Sequence, residues 1–473
     1  MKHLLSTALL AACLAPSPGL FAAEETAPAP APATEVLADE SIDRVWSGHP
    51  VSFAFLTERE HQFIAYYDAD RRITVVSRRL GESAWKRFQP EGVHLPGRGR
   101  PSNVTGWDSH NYLALALDRD GYVHLSGNMH NDPLIYYRST RPLDIESLER
   151  VDRMTGQREN NTTYPVFFKN RAGELFFRYR DGGSGNGRDI YNIWEPTSRG
   201  WVNLLSTPLL DGQGRRNAYA TSPVLGPDGR FHLVWMWRES PDCATNHTLS
   251  YARSADFIHW EKSDGTRLEL PITLGTGEVV DPAPVRQGLI NMTFNLGFDA
   301  DKHPVVVYHR YDANGKSQAY AARPGTRGAP WTIVQISDWD FRWQFSGGGS
   351  ITAEVTLGAP ALQRDGRLLV DFSTLHPVGS GRWSIDGRSL RPVETLPPPA
   401  GVLPDSLAKA VTGYPGMEVQ TAVSRAEGRR WVLRWETLPR NRDQPRNVAP
   451  PPSELRVYEL PDADTGGAVR IGS

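Results

Sequence analysis

From about residue 45 onward the apolar positions fall into short alternating runs, and no stretch carries the long three-to-four-residue periodicity of an amphipathic helix. The runs follow a recurrent signal, a polar turn containing glycine and then an alternating strand. Asp118-Arg119-Asp120-Gly121 precedes Tyr122-Val123-His124-Leu125, and Asn170-Arg171-Ala172-Gly173 precedes Glu174-Leu175-Phe176-Phe177. Gly226-Pro227-Asp228-Gly229 and Gln363-Arg364-Asp365-Gly366 introduce Arg230–Trp235 and Arg367–Val370 in the same way. Asp299-Ala300-Asp301-Lys302 before Val305–Tyr308 is a copy without the glycine. Each polar turn followed by period-two alternation reads as a hairpin. The copies recur roughly every 50 to 75 residues, the length of a four-stranded blade with its loops. The pattern therefore predicts an all-β chain, a β-propeller with most simply seven blades of four-stranded antiparallel sheet. A two-sheet sandwich with insertions is the competing arrangement.

The segment Tyr251-Ala252-Arg253-Ser254-Ala255-Asp256-Phe257-Ile258-His259-Trp260 resembles a degenerate Asp-box of sialidase-like propellers, in which the Asp ties a hairpin turn and the Trp packs between sheets. It supports the fold and carries no chemistry. Composition agrees: 14 Trp, 43 Gly and 37 Pro suit many short strands and tight turns. A net charge of −2 gives no general attraction to nucleic acid or to a membrane surface, so an anionic ligand must be met by local Arg and His.

The basic start Met1-Lys2-His3 and the apolar run Leu4–Leu14 read as an export signal too short to span a bilayer. Residues 1–23 are expected to be the signal peptide, 24–42 an Ala/Pro-rich linker, 43–462 the propeller and 463–473 a tail. The mature protein is expected to be secreted or periplasmic, without a transmembrane span and monomeric. A lipoprotein acylated at Cys13 is the alternative. Once Cys13 has left with the signal, Cys243 stands alone and no intrachain disulfide can form.

Polar and aromatic residues concentrate in Gly106–Asn111, Gly127–Asp132, Asn160–Pro165 and Phe177–Gly187, each beside an expected strand. In a propeller such segments converge at the mouth of the central channel. Two His, one Tyr and one Arg brought together there match what β-elimination at a uronate requires. The carboxylate beside C5 must be neutralised, a base must take the weakly acidic C5 proton, and an acid must assist departure of the 4-linked oxygen. Arg suits the first role because its planar fork holds a carboxylate and stays charged. A Tyr serves as base only where positive charge lowers its pKa. The glycine run Asp181–Gly187 lacks the Lys-Ser/Thr ending of a phosphate loop.

With these residues in view, the chain resembles the neuraminidase-like (BNR) repeat propellers that include seven-bladed ulvan lyases and related rhamnose–glucuronate lyases. The likeness runs from about Trp46 to Gly349. His110-Asn111 and His130-Asn131 look like the family's two active-site histidines, Tyr164 like its catalytic tyrosine and Arg180 like its carboxylate-neutralising arginine. The resemblance implies a polysaccharide lyase acting on an ulvan-like anionic polymer. Tyr164 and His110 would be base and acid in an order left open, with Arg180 as neutraliser. His130, Tyr219, Asn111, Asn131 and Arg238 would bind substrate.

No cofactor is required for that chemistry. A structural zinc or calcium is a further expectation, with His232, Cys243, His247 and His309 as zinc ligands, against the simpler reading of a buried thiol. His124 and His232 otherwise read as packed strand residues. Two other functions compete: a sialidase-like glycoside hydrolase, which needs carboxylates flanking the glycosidic bond or a nucleophilic Tyr with a carboxylate partner, plus an arginine cluster from separate blades, and a non-catalytic glycan-binding propeller.

Overall fold

In the computed structural model, residues 35–461 are described. Among them there is no α-helix, only four short 3-10 turns, and the strands form seven separate antiparallel sheets. Six follow one another along the chain. The remaining one is built from both ends, with Ala38–Val45 paired to Ser453–Pro461, then Arg429–Thr437 and Glu418–Ala426. This pairing closes the ring. Its first strand begins at Ala38, inside the 24–42 stretch expected to be linker. The Ala/Pro alternation ends by Thr34, and an outer-edge strand with polar residues on both faces gives no hydropathy signal. The expected signal peptide, Cys13 and the 463–473 tail lie outside the described residues.

The recurrent turns have one physical form. Asp118 Oδ1 accepts the backbone N–H of Asp120 (3.0 Å) and Tyr122 (2.9 Å), while Gly121 N–H closes the turn on the Asp118 carbonyl at 3.1 Å. Asn170, Asp228 and Asp365 cap their turns through side chains in the same way. The last residue is left-handed, with φ of 88° at Gly121 and 83° at Gly229, and in the copy without glycine Lys302 is forced to 66°. The Asp-box segment behaves likewise. Asp256 Oδ1 accepts from the N–H groups of Ile258 and His259, and Trp260, 1% exposed, packs with Phe231, Phe257 and Leu268.

The hydrophobic core lies between neighbouring sheets in several clusters rather than at one centre. Two buried histidines sit in it at matching positions. His124 bridges the Tyr136 hydroxyl (2.7 Å) and Asp118, and His232 bridges the Tyr251 hydroxyl (2.5 Å) and Asp228. These are packed strand residues tied to their own turn. The strands Ala54–Glu58, Leu113–Leu117 and Thr162–Lys169 touch one another along the inner edge, and Ala54–Glu58 also touches Glu418–Ala426. Loops from these inner strands carry the polar motifs.

Candidate active site

The first component is the loop ahead of Leu113–Leu117. Asp108 caps the 3-10 turn Ser109–Asn111 by accepting His110 N–H at 2.9 Å, and the same Oδ1 takes His110 Nδ1 at 2.6 Å. The cap thus sets the backbone and the imidazole together. The second component is the short strand His130–Asp132, which leaves its own sheet and pairs with Thr162–Lys169 of the next. It brings His130 Nδ1 to 2.5 Å from Asp108 Oδ2, and the two imidazoles stack at 3.9 Å.

The third component is a β-bulge. Thr163 pairs with Arg180 and Val166 with Arg178, so Tyr164 and Pro165 fall out of register. Tyr164 has φ 59°, a left-handed conformation that a bulky residue adopts only under constraint. This turns its hydroxyl to His110 Nε2, at 3.1 Å. The carboxylate of Asp108 can only accept, so His110 Nδ1 carries the proton and Nε2 accepts from Tyr164. Asp108, His110 and Tyr164 form one hydrogen-bonded series.

Burial dominates the electrostatics of the pair. It lowers the His110 pKa from its ordinary value despite the opposing Asp108 hydrogen bond, which keeps the imidazole neutral. It raises Tyr164 well above the ordinary phenol range, with Tyr219 adding to the shift and Arg180 and Arg238 failing to reverse it. The expectation that positive charge would lower the tyrosine is therefore not met. Asp108 is also pushed up by burial, but the hydrogen bonds from His110 and His130 outweigh this and hold it far below the usual carboxylate range.

These groups open on a cavity of about 800 Å³ lined by His110, His130, Asn131, Tyr164, Tyr219 and Arg238, with the glycine segments 183–185 and 348–349 at its rim. Tyr219 donates to or accepts from Ser184 Oγ at 2.8 Å, and the Arg238 guanidinium lies 5.2 Å from the Tyr219 ring. No Asp or Glu lines this cavity among the described residues.

Two expected site residues are placed differently. Asn111 is fully buried, its side-chain amide is without a partner, and only its backbone is engaged, the N–H donating to the Asp108 carbonyl at 3.1 Å and the carbonyl accepting from the Tyr67 hydroxyl at 2.5 Å. It is not among the residues that line the cavity. Arg180 lies one layer back. Its guanidinium is 4.9 Å from the Tyr164 ring, Nη2 donates to Thr163 Oγ1 (3.1 Å) and Asn131 Oδ1 (3.4 Å), and it lines a smaller adjoining cavity instead.

The proposed zinc set does not assemble. His232 is held by Tyr251 and Asp228, His247 by Glu239 at 2.7 Å, and His309 by the Gly288 carbonyl at 2.7 Å, while Cys243 is a buried thiol at the edge of the main cavity. Sequence spacing suggested four ligand residues, but the three imidazoles are directed to separate partners. Among the described residues the one grouping within metal-ligand reach is Asp108, His110 and His130, whose ligand atoms lie within 4.8 Å of one another. Its carboxylate oxygens are already satisfied by two imidazole nitrogens.

Three contributors escaped the sequence reading. Asp108 sits in a motif recognised for His110, and its signal was its place as the capping acid two residues earlier. Asp443 and His49 had none. Asp443 Oδ1 accepts His49 Nε2 and Ser109 N–H, both at 3.1 Å, and Oδ2 accepts Ser350 N–H at 2.7 Å and stands 4.0 Å from His110 Nδ1. It joins the loops of three distant segments behind the histidine.

Residues 61–339 match the family described as BNR repeat-containing. The chain belongs to the BNR repeat-containing family. Among solved structures, this BNR-repeat protein shares its fold with the polysaccharide lyase Uly1, at TM-score 0.55 and 14% identity over 87% of this chain and 90% of that one. It also matches a PL25 ulvan lyase, at TM-score 0.55 and 14% identity over 89% and 95% of the two chains, a protein also solved bound to -[GlcA(1-4)Rha3S]-. A comparison with curated proteins finds no match. Among the described residues of this BNR-repeat chain, no helix is long and apolar enough to cross a membrane.

Proposed function

We propose that this protein is a polysaccharide lyase that cleaves the bond to the 4-position of a uronate by β-elimination, in an ulvan-like rhamnose–glucuronate polymer. The observation that carries the reading is the series Asp108–His110–Tyr164 ending in a hydroxyl at the cavity wall. Neutral His110 is poised to take a proton through Nε2, and Asp108 orients it and stabilises the imidazolium that results. Tyr164, held as a phenol at rest, takes the C5 proton as it passes its own to His110. The same pair then returns a proton to the departing 4-oxygen. A resting tyrosinate is not needed.

The uronate carboxylate docks on the cationic side of the cavity. Arg238 and Asn131 face it, and Arg180, behind Asn131, adds its charge. The lining also weighs against a glycoside hydrolase, since two carboxylates must flank the bond in most such enzymes and none lines this cavity among the described residues. The fold of two polysaccharide lyases supports the reading. The test is a panel of uronate polymers followed by ultraviolet absorbance of the unsaturated product. Absorbance that rises on a rhamnose–glucuronate polymer and is lost in Tyr164→Phe is expected. New reducing ends without absorbance would overturn it.

A further inference from the structure

The main cavity does not end at its catalytic wall. Ser350, Ile351 and Arg440 line it and also line a neighbouring cavity of about 420 Å³, so the two share a boundary. That boundary lies between the segment ahead of Val355–Leu357 and the loop joining Arg429–Thr437 to Ser453–Pro461. The two segments are bonded to each other. Arg442 N–H donates to the Ser350 carbonyl at 2.9 Å, and its guanidinium Nη1 donates to the carbonyls of Ser346 and Gly348 at 2.8 and 3.2 Å. A Cβ at Gly349, where φ is 75°, would stand 2.3 Å from the Arg442 carbonyl oxygen, so glycine is what lets the segments meet.

The guanidiniums of Arg440 and Arg442 line this compartment against the single carboxylate of Glu354. Glu354 is already engaged by His376 at 2.8 Å, and the His376 ring stacks on Phe341 at 3.7 Å. Arg442 is taken up by the backbone carbonyls. Arg440 is exposed at the shared boundary, and its guanidinium has no hydrogen bond or ion pair among the described residues. On the same wall Ser350 Oγ and Asn441 Oδ1 are buried without a partner. A guanidinium fork left free at a polar wall suits an oxyanion carried on a sugar ring. Ligand clefts run to ~300–1,000 Å³, and on that scale this compartment has room for about two pyranose rings. We infer that it is an outlying subsite for the stretch of acidic polysaccharide next to the cleaved unit, with Arg440 pairing to a carboxylate or sulfate ester there. The inference rests on the proposed lyase reading for the identity of the polymer, and it leaves Arg180, Arg238 and Asn131 to the uronate at the cleaved bond.

The test reads binding by calorimetry in the full chain carrying Tyr164→Phe, so that no ligand is consumed. The probes are a disaccharide and a hexasaccharide of an acidic rhamnose–glucuronate polymer at constant ionic strength. The hexasaccharide should bind roughly tenfold more tightly, the effect of one charge-assisted contact at an exposed site. Adding Arg440→Gln should bring the ratio of the two affinities close to one. Thr352→Trp, which fills the compartment from an exposed position, should do the same, and decides the matter if Arg440→Gln fails to fold. Hexasaccharides with the carboxyls reduced or the sulfates removed identify the partner group. Proteins with and without Arg440→Gln should bind one of the two alike, and a difference that persists on both would overturn the pairing. A ratio near one before Arg440 is changed, or a raised ratio that survives both variants, would overturn the subsite. Ultraviolet absorbance of product from the unsubstituted protein separates the two readings. Product without a length gain removes the subsite alone, a length gain without product removes the lyase reading alone, and no binding at either length removes both.

Discussion

Asp108→Asn is the perturbation that tests the hydrogen-bonded series most sharply. The carboxylate accepts two imidazole N–H groups, at 2.6 Å from His110 and 2.5 Å from His130. An amide of the same shape offers one acceptor oxygen and one donor NH₂. One imidazole must then turn its Nδ1 from donor to acceptor, which moves its proton to Nε2. If that ring is His110, Nε2 no longer accepts from Tyr164. Loss of one charge-assisted bond is worth about 1.5–3 kcal/mol, and a wrong tautomer removes more, so kcat/KM should fall about 10²–10⁴-fold. Asp108 raises the His110 pKa against the opposing effect of burial. Its removal lets that pKa fall further, so the acid limb of the pH profile should move to lower pH while the plateau drops. The assay is initial-rate ultraviolet absorbance on the polymer across pH. A plateau kept within about threefold of the parent would refute the orienting role of Asp108, because even one lost charge-assisted bond predicts more.

Tyr164→Phe keeps the ring under Arg180 but deletes the hydroxyl at His110, so turnover should fall at least about 10³-fold while polymer binding, read by calorimetry, persists. Exhaustive chelation should leave activity unchanged, since Asp108 acts here as a hydrogen-bond acceptor; loss on chelation with recovery on adding a divalent metal would instead make Asp108, His110 and His130 a metal centre. Burial pushes the pKa of His309 down to about 4, below the unfolded value of about 6.5, so the unfolded chain binds a proton across that window and the native one does not. Stability should therefore fall from pH 6.5 to 4, and His309→Met should remove about 3 kcal/mol of that fall in urea titrations. Lys302→Gly relieves a residue at φ 66° and should stabilise by roughly 0.5–1 kcal/mol, with an unchanged m-value.

What could be read from the sequence was local. The capped turns, their period and the Asp-box are set by residues within a few positions of one another, and the structure repeats them almost copy for copy. His110, His130, Tyr164 and Tyr219, each singled out from a polar motif in or beside an expected strand, line one cavity. What could not be read was direction and distance. The bulge that turns Tyr164 toward His110 depends on a one-residue slip against Leu175–Asp181, and nothing in Thr163-Tyr164-Pro165 announces it. The bond from Ser109 to Asp443 spans 334 positions and exists only because the ring closes. Arg180 was correctly expected near the tyrosine, yet its layer depends on how the bulge packs. The zinc set failed for the same reason: composition counted ligands, whereas His232 is aimed at its own turn Asp228.

The central claim, elimination rather than hydrolysis, is tested most directly by mass spectrometry of the products formed in heavy-oxygen water. The account predicts fragments ending in an unsaturated uronate, lighter by one water than hydrolysis products and free of solvent oxygen at the cleaved bond. Saturated ends carrying the heavy isotope would contradict it.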